Sequence, residues 1–205
     1  MSARPLRYFR AGRLIGRHLA ELDHRRVAFF GGPRESLDTR RRLRGLSEAL
    51  AERGVTIREA DVGFASSYTP EAGIAFATRF LADRPAKRAT AVVLGNDVMA
   101  LGFIRTLLQS RVQVPRDVSV AGFDGIAEGA LCWPGLTTVV QPTRRMAARA
   151  CQALLDRIEG RGEKRPVSLE FGVELVVRES TARAALGDRS RRGALVPAAS
   201  RPQGS

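Results

Sequence analysis

Two polar side chains stand where apolar runs end. Asp124 follows "SVAGF" and Asn96 follows "AVVLG", two runs of similar length. A carboxylate accepts hydrogen bonds and an amide both donates and accepts, so the two groups, brought to one cleft, could hold a ligand rich in hydroxyls. Arg42, inside "TRRRLRG", offers a planar guanidinium that could complete the set, and Tyr68 could stack on a sugar or a base. Each residue also has an ordinary structural use. Asn96 or Asp97 can cap the helix they open, which contributes about 1 kcal/mol. "FDG" is a common turn, Arg42 can be a solvated charge, and Tyr68 can cover an edge of the core.

Catalysis has no visible apparatus. The sequence holds no Ser/His/Asp or Cys/His set, no P-loop and no H-E-x-x-H, so a non-enzymatic protein without a cofactor is expected. Cys132 and Cys151 lack metal-ligand spacing and lie far in sequence from His18 and His24, which argues against a zinc site or a disulfide framework.

The elements that position these residues follow from periodicity. "YFRAGRLIGRHLAEL" carries Ala11, Leu14, Ile15, Leu19 and Leu22 on one helical stripe, and "RRVAFFGGP" then reads as a buried strand. "SLDTRRRLRGLSEALAERG" is a helix with Ser36 or Asp38 as candidate N-cap and Gly54 as its stop. A short strand near "TIREADV", a helix opened by Thr69-Pro70, the strand "ATAVVLGN" and the broadly apolar helix "DVMALGFIRTLLQSR" follow. "DVSVAGF" and "LTTVVQ" are further strands, "TRRMAARACQALLDRIEG" is a helix with Met146, Ala150, Leu154 and Ile158 on a stripe, and "PVSLEFGVELVVRES" is extended. Alternating helices and continuously apolar strands predict an α/β fold, a parallel sheet covered on both faces, with ligands gathered at the carboxyl ends of strands.

The formal charge of +13 on 205 residues is unevenly placed. Residues 1–26, 34–44 and 183–205 carry +5, +3 and +4, while residues 45–182 carry +1. Basicity thus belongs to the ends and one arginine-rich segment, and residues from about 183 onward form a basic tail expected to be disordered. No run approaches the roughly 20 apolar residues of a bilayer span, and the N-terminus lacks an apolar signal core, so a cytoplasmic protein with no membrane partner is expected.

Several motifs in order resemble the LacI/GalR family of transcriptional regulators. They are "AGRLIGRHLAELDHRRVAFFGGP", then "VVLGNDVMALGFIRTLLQSRVQVPRDVSVAGFDGIAEGALCWPGLTTVVQP", then "ELVVRESTAR". The resemblance covers residues 8–182 and implies a periplasmic-binding-protein-like fold of type I, whose two α/β subdomains close on a small effector. It assigns 24–140 and 165–180 to an essentially complete C-terminal subdomain, and the helices at 9–22 and 143–159 to a mostly missing N-terminal one. It implies ligand contacts at Arg42, Tyr68, Asn96, Asp124 and Gln141, and a homodimer interface through Leu101, Ile104, Cys132 and Trp133. The effector is expected to be a carbohydrate or related polar metabolite. Nothing before Tyr8 resembles the family's DNA-reading headpiece, so operator DNA is expected to be bound only through a helix-turn-helix segment absent from this chain.

Departures from the family pattern sharpen the expectations. Thr143 stands where some members have an aromatic, Gly125 where an acidic residue is usual, and Arg7 where many have an acidic contact. Without the second subdomain's sheet, the stripes of the two end helices would represent a liability on the order of 10 kcal/mol, and a one-walled cleft should bind sugars weakly. The rival readings are a transport-type sugar-binding protein, a nonfunctional truncated regulator, and direct nucleic-acid binding by the arginine-rich ends.

Overall fold

The computed structural model describes residues 6–161 and 171–184. Helix α1 (Leu6–Glu21) leads into β1 (Val27–Gly31), followed by α2 (Leu37–Ala51), β2 (Val62–Phe64), α3 (Pro70–Ala82), β3 (Ala91–Leu94) and α4 (Asp97–Gln109). The chain continues through β4 (Ser119–Asp124), a one-turn helix α5 (Glu128–Leu131), β5 (Thr137–Val140), α6 (Thr143–Ile158) and β6 (Glu174–Val176). The six strands lie in the order β2-β1-β3-β4-β5-β6. All neighbours pair in parallel except β5 and β6, which are antiparallel with Val139 opposite Leu175.

Side chains alternate across a strand, so each apolar strand feeds two cores. Phe30, Val92, Leu94 and Val120 face α3 and α4, where Phe76, Phe80, Met99, Phe103 and Leu107 close over them. Phe29, Val93, Phe123 and Val139 face the other way, onto Ile15 and Leu19 of α1 and Leu46 and Leu50 of α2. Helices on both faces explain why the strands read as unbroken apolar runs. The α/β class and the parallel sheet are therefore as expected, with one antiparallel edge strand added. The strand expected near "TIREADV" begins later, at Val62, because Glu59–Asp61 form a 3-10 turn.

One assignment needs correction. The helix at 9–22 does not await an absent sheet: Ile15 and Leu19 are fully buried beneath α2 and the strands of this chain. Glycines permit the close crossing. A Cβ on Gly12 would land on the Arg42 carbonyl, and one on Gly45 would land on the Phe9 carbonyl. The α1 stripe is thus covered, and only α6 keeps the exposed stripe anticipated for both. No α6 residue is buried, and Leu154, Leu155 and Ile158 are 60%, 52% and 73% exposed.

Residues 178–184 form a strap across the amino ends of the central strands. The Ser180 hydroxyl donates to the Val120 carbonyl (2.6 Å) and accepts from the Thr137 amide (2.8 Å). The Ala184 amide donates to the Leu22 carbonyl at 2.8 Å. His24, 1% exposed, sits beneath the strap, with Nδ1 2.9 Å from the Thr90 hydroxyl and Nε2 3.1 Å from the Ser119 hydroxyl and 3.0 Å from the Ala182 carbonyl. The part of the 165–180 assignment up to residue 170 and the tail from residue 185 lie outside the described residues.

Candidate ligand-binding site

Parallel strands all end on the same side, so the residues that follow β1, β3, β4 and β5 meet at one rim. Asp124, the last residue of β4, adopts a φ of 110° and Gly125 a φ of 75°. The left-handed turn is natural for glycine and costly for aspartate, so other contacts must hold Asp124 in place. They are visible. Asp124 Oδ1 accepts from Arg42 Nη2 at 2.9 Å and from Gln141 Nε2 at 2.7 Å. Its second oxygen takes no hydrogen bond among the described residues, and the side chain is 33% exposed. That oxygen is an acceptor left open at the rim.

Arg42 is held at its tip and against two rings. It is 4% exposed, its Nη1 donates to the Gly95 carbonyl, and its guanidinium lies 4.7 Å from the Phe123 ring centroid and 5.2 Å from that of Tyr8. Its Nε is buried without a partner. A guanidinium between two rings, with a carboxylate at its tip, presents fixed geometry with its charge largely balanced. Such a site suits neutral hydroxyls better than a free anion.

Asn96 and Tyr68 complete the arc. Asn96 Oδ1 caps α4 by accepting the Met99 amide (2.9 Å), which leaves its Nδ2 to donate outward, without a protein partner among the described residues. The ordinary capping use and a ligand contact are therefore compatible in one side chain. The Tyr68 ring lies on Gly32, where a Cβ would strike the ring, and Gly32 abuts Gly95. The Tyr68 hydroxyl is 2.6 Å from Thr39 Oγ1 and 3.2 Å from Ser36 Oγ. Ser36 precedes α2, but its hydroxyl serves Tyr68 and makes no cap bond to the helix. The structure thus brings Arg42, Tyr68, Asn96, Asp124 and Gln141 to one rim.

Two neighbours are not legible as parts of the rim from sequence, although Asp97 is a candidate cap there. Tyr8 covers Arg42, and nothing in its position on α1 signals that role. Asp97 is fully buried and accepts from the Gly125 amide (2.7 Å), the Ile126 amide (3.0 Å) and the Thr138 hydroxyl (2.6 Å). Burial, helped by the charge of Asp124, raises its carboxyl to about 6 against the lowering effect of those three donors. The signal available was a carboxylate opening a helix that is otherwise almost wholly apolar.

Leu101, Ile104, Cys132 and Trp133 lie elsewhere, along a groove of about 560 Å³ between α4 and the loop after α5, together with Leu108 and Leu131. Ile104 forms its floor at 3% exposure, while Leu131 and Trp133 stand 84% and 79% exposed. Burial raises the Cys132 thiol, which donates to the Pro134 carbonyl at 3.1 Å. Among the described residues no group of three His, Cys, Asp or Glu could hold a metal ion, and no helix is long and apolar enough to cross a membrane.

A sheet of this order, with polar side chains gathered at its carboxyl edge, defines an α/β ligand-binding domain, and residues 17–181 match the family described as "Periplasmic binding protein-like domain". Within it, the chain belongs to the LacI/GalR family and carries an effector-binding region of that type. It is 36% identical over 174 residues to the transcriptional repressor PurR of Proteus mirabilis, covering 85% of this chain and 50% of the repressor. It thus spans about half the length of that relative. Among solved structures it is similar to a LacI-family regulator from Enterococcus faecium with bound ribose, at 28% identity and a TM-score of 0.76, over 86% of this chain and 64% of that one. It is also similar to the regulator CelR in complex with cellobiose, at 34% identity and a TM-score of 0.77, over 85% and 52%.

Proposed function

We propose that the chain is the ligand-sensing and dimerising region of a cytoplasmic transcriptional regulator. Its effector is a small neutral carbohydrate, held by Arg42, Tyr68, Asn96, Asp124 and Gln141. Effector binding controls operator DNA through a helix-turn-helix segment outside the present sequence. The observation that carries the reading is the shared Asp124 carboxylate: one oxygen is fixed by Arg42 and Gln141, and the other remains open at the strand ends. Ribose and cellobiose in related regulators are consistent with an arc of acceptor, donor and aromatic face.

Dimerisation is proposed through the groove lined by Leu101, Ile104, Cys132 and Trp133, where large apolar side chains stand exposed together. Ligand binding is tested by titrating the isotopically labelled chain with ribose and with cellobiose. Amide shifts should cluster at Tyr68, Asn96, Asp124 and Gln141 and disappear in Asp124→Ala. Shifts confined to other surfaces, or none with either sugar, would overturn the carbohydrate reading.

A further inference from the structure

We propose that Asp97 is a proton-responsive positioning residue: it holds the Gly125–Ile126 backbone, and through it sets the Asp124 carboxylate for a ligand. The inference rests on reading Asp124 as a ligand contact, but its test uses no ligand.

The geometry is that of a clamp. Asp97 stands at the start of α4, whereas its three donors come from the turn after β4 and from β5. Two of those donors belong to the residues immediately after Asp124, in the turn with the left-handed backbone. Holding the amides of Gly125 and Ile126 therefore fixes where β4 ends and how the Asp124 side chain leaves it. Gly122 belongs to the same arrangement, because a Cβ there would strike Asp97 Oδ1.

Burial, with a smaller contribution from a neighbouring charge, makes the clamp sensitive to protons. The charge that acts on it is that of Asp124 from β4, which is itself paired with Arg42 of α2; the Cys132 thiol after α5 feels both the Asp97 charge and that of Arg178, and Glu128 of α5 is exposed. Arg42 is committed to Asp124 and Gly95, and no cation among the described residues pairs with Asp97. The ionised carboxylate is thus stabilised only by neutral donors. On protonation, Oδ1 can donate to Thr138, whose hydroxyl reverses to accept, while Oδ2 continues to face the two amides as a neutral carbonyl. The buried Thr138 hydroxyl then gives up its one acceptor among the described residues, which loosens the hold on that side too. The two amide bonds lose their charge assistance, which roughly halves their strength. Near the midpoint the turn bearing Asp124 thus alternates between a tight and a looser hold.

The test is a pH titration of the full chain by NMR. The Gly125 and Ile126 amides should move together with a midpoint at about 6. The Asp124 carboxyl carbon and the Arg42 Nε–H resonance should show a step at that same midpoint. In Asp97→Asn, an isosteric stand-in for the neutral acid, all of these steps should vanish and the two amides should rest near their acid-limit positions. Flat Gly125 and Ile126 amides over roughly two pH units around the midpoint would overturn the proposal. So would a titration of those amides that leaves Asp124 and Arg42 unmoved, since Asp97 would then hold the turn without setting the site. The wild-type titration decides the matter even if the variant does not fold. Failure of sugar binding with these steps intact would count against the effector reading alone.

Discussion

Arg42 and Asp124 are 82 residues apart in sequence and meet at 2.9 Å on the same rim. Arg42 comes from the interior of α2 and Asp124 from the last position of β4, and Gln141 arrives on the same carboxylate oxygen just after β5. One carboxylate oxygen therefore ties a helix to two strands.

Removing that arginine should loosen the rim more than it unbalances charge. In Arg42→Leu, Asp124 is exposed enough to rehydrate, so little of the loss is electrostatic. The Gly95 carbonyl loses its donor, and Tyr8 and Phe123 lose the guanidinium packed on them. A destabilisation of about 2 kcal/mol is expected in urea unfolding. An unchanged midpoint would mean that Arg42 serves the ligand and not the fold.

Two buried groups should pull the pH dependence in opposite directions. Asp97, raised to about 6, takes up a proton in the folded state before the unfolded chain does, so its contribution to stability rises as pH falls from that value towards the ordinary carboxylate range. Burial lowers His24, with the Ala182 carbonyl partly opposing, so the unfolded chain protonates first and stability falls as pH drops below 6.5. Half-buried His18, lowered by the same cause, adds to the loss. Thermal melts of Asp97→Asn should lose stability on acidification more steeply than the wild type, and those of His24→Gln less steeply. Parallel curves for all three proteins would contradict both assignments.

The apolar groove makes a prediction that the isolated fold does not. Because Trp133 is 79% exposed in the single chain, Trp133→Asp should change unfolding by less than about 0.5 kcal/mol at concentrations low enough to keep both proteins monomeric. In sedimentation equilibrium the same change should convert a dimer into a monomer. A wild-type chain that stays monomeric at high concentration would sink the dimer proposal.

Gly45 tests the crossing of α1 over α2. Alanine there would set its Cβ against the Phe9 carbonyl, which is backbone and cannot rotate aside. Gly45→Ala should cost about 2 kcal/mol or more, read as a shifted urea midpoint, although alanine is the better helix former. A stabilised variant would show that α1 can slide on α2.

Much of this arrangement was legible as pattern. "AVVL" and "SVAGF" read as buried strands because both of their faces are covered, and Asn96 and Asp124 drew notice as polar residues at apolar ends. Periodicity found the α1 stripe yet could not name its partner: the glycines that admit α1 against α2 look, in sequence, like ordinary helix interruptions. Composition could not say which arginine of "TRRRLRG" turns inward, since all of them share one charge and only the register of α2 separates them. Local spacing offers Asp97 only as an alternative cap to Asn96. The two neighbours have divided the work, with Asn96 capping the helix and Asp97 reaching across to the next strand's turn, a long-range contact that local spacing does not encode.

The strap at residues 178–184 has a practical consequence. Its end meets Ser119 and Leu22 at the amino edge of the sheet, while Asp124 closes β4 at the opposite edge, about 17 Å away along a six-residue strand. A fluorophore attached at Ala184 would therefore be moored by the strap and remote from the rim. It offers an attachment point for surface immobilisation or energy-transfer sensing that leaves the cleft unobstructed.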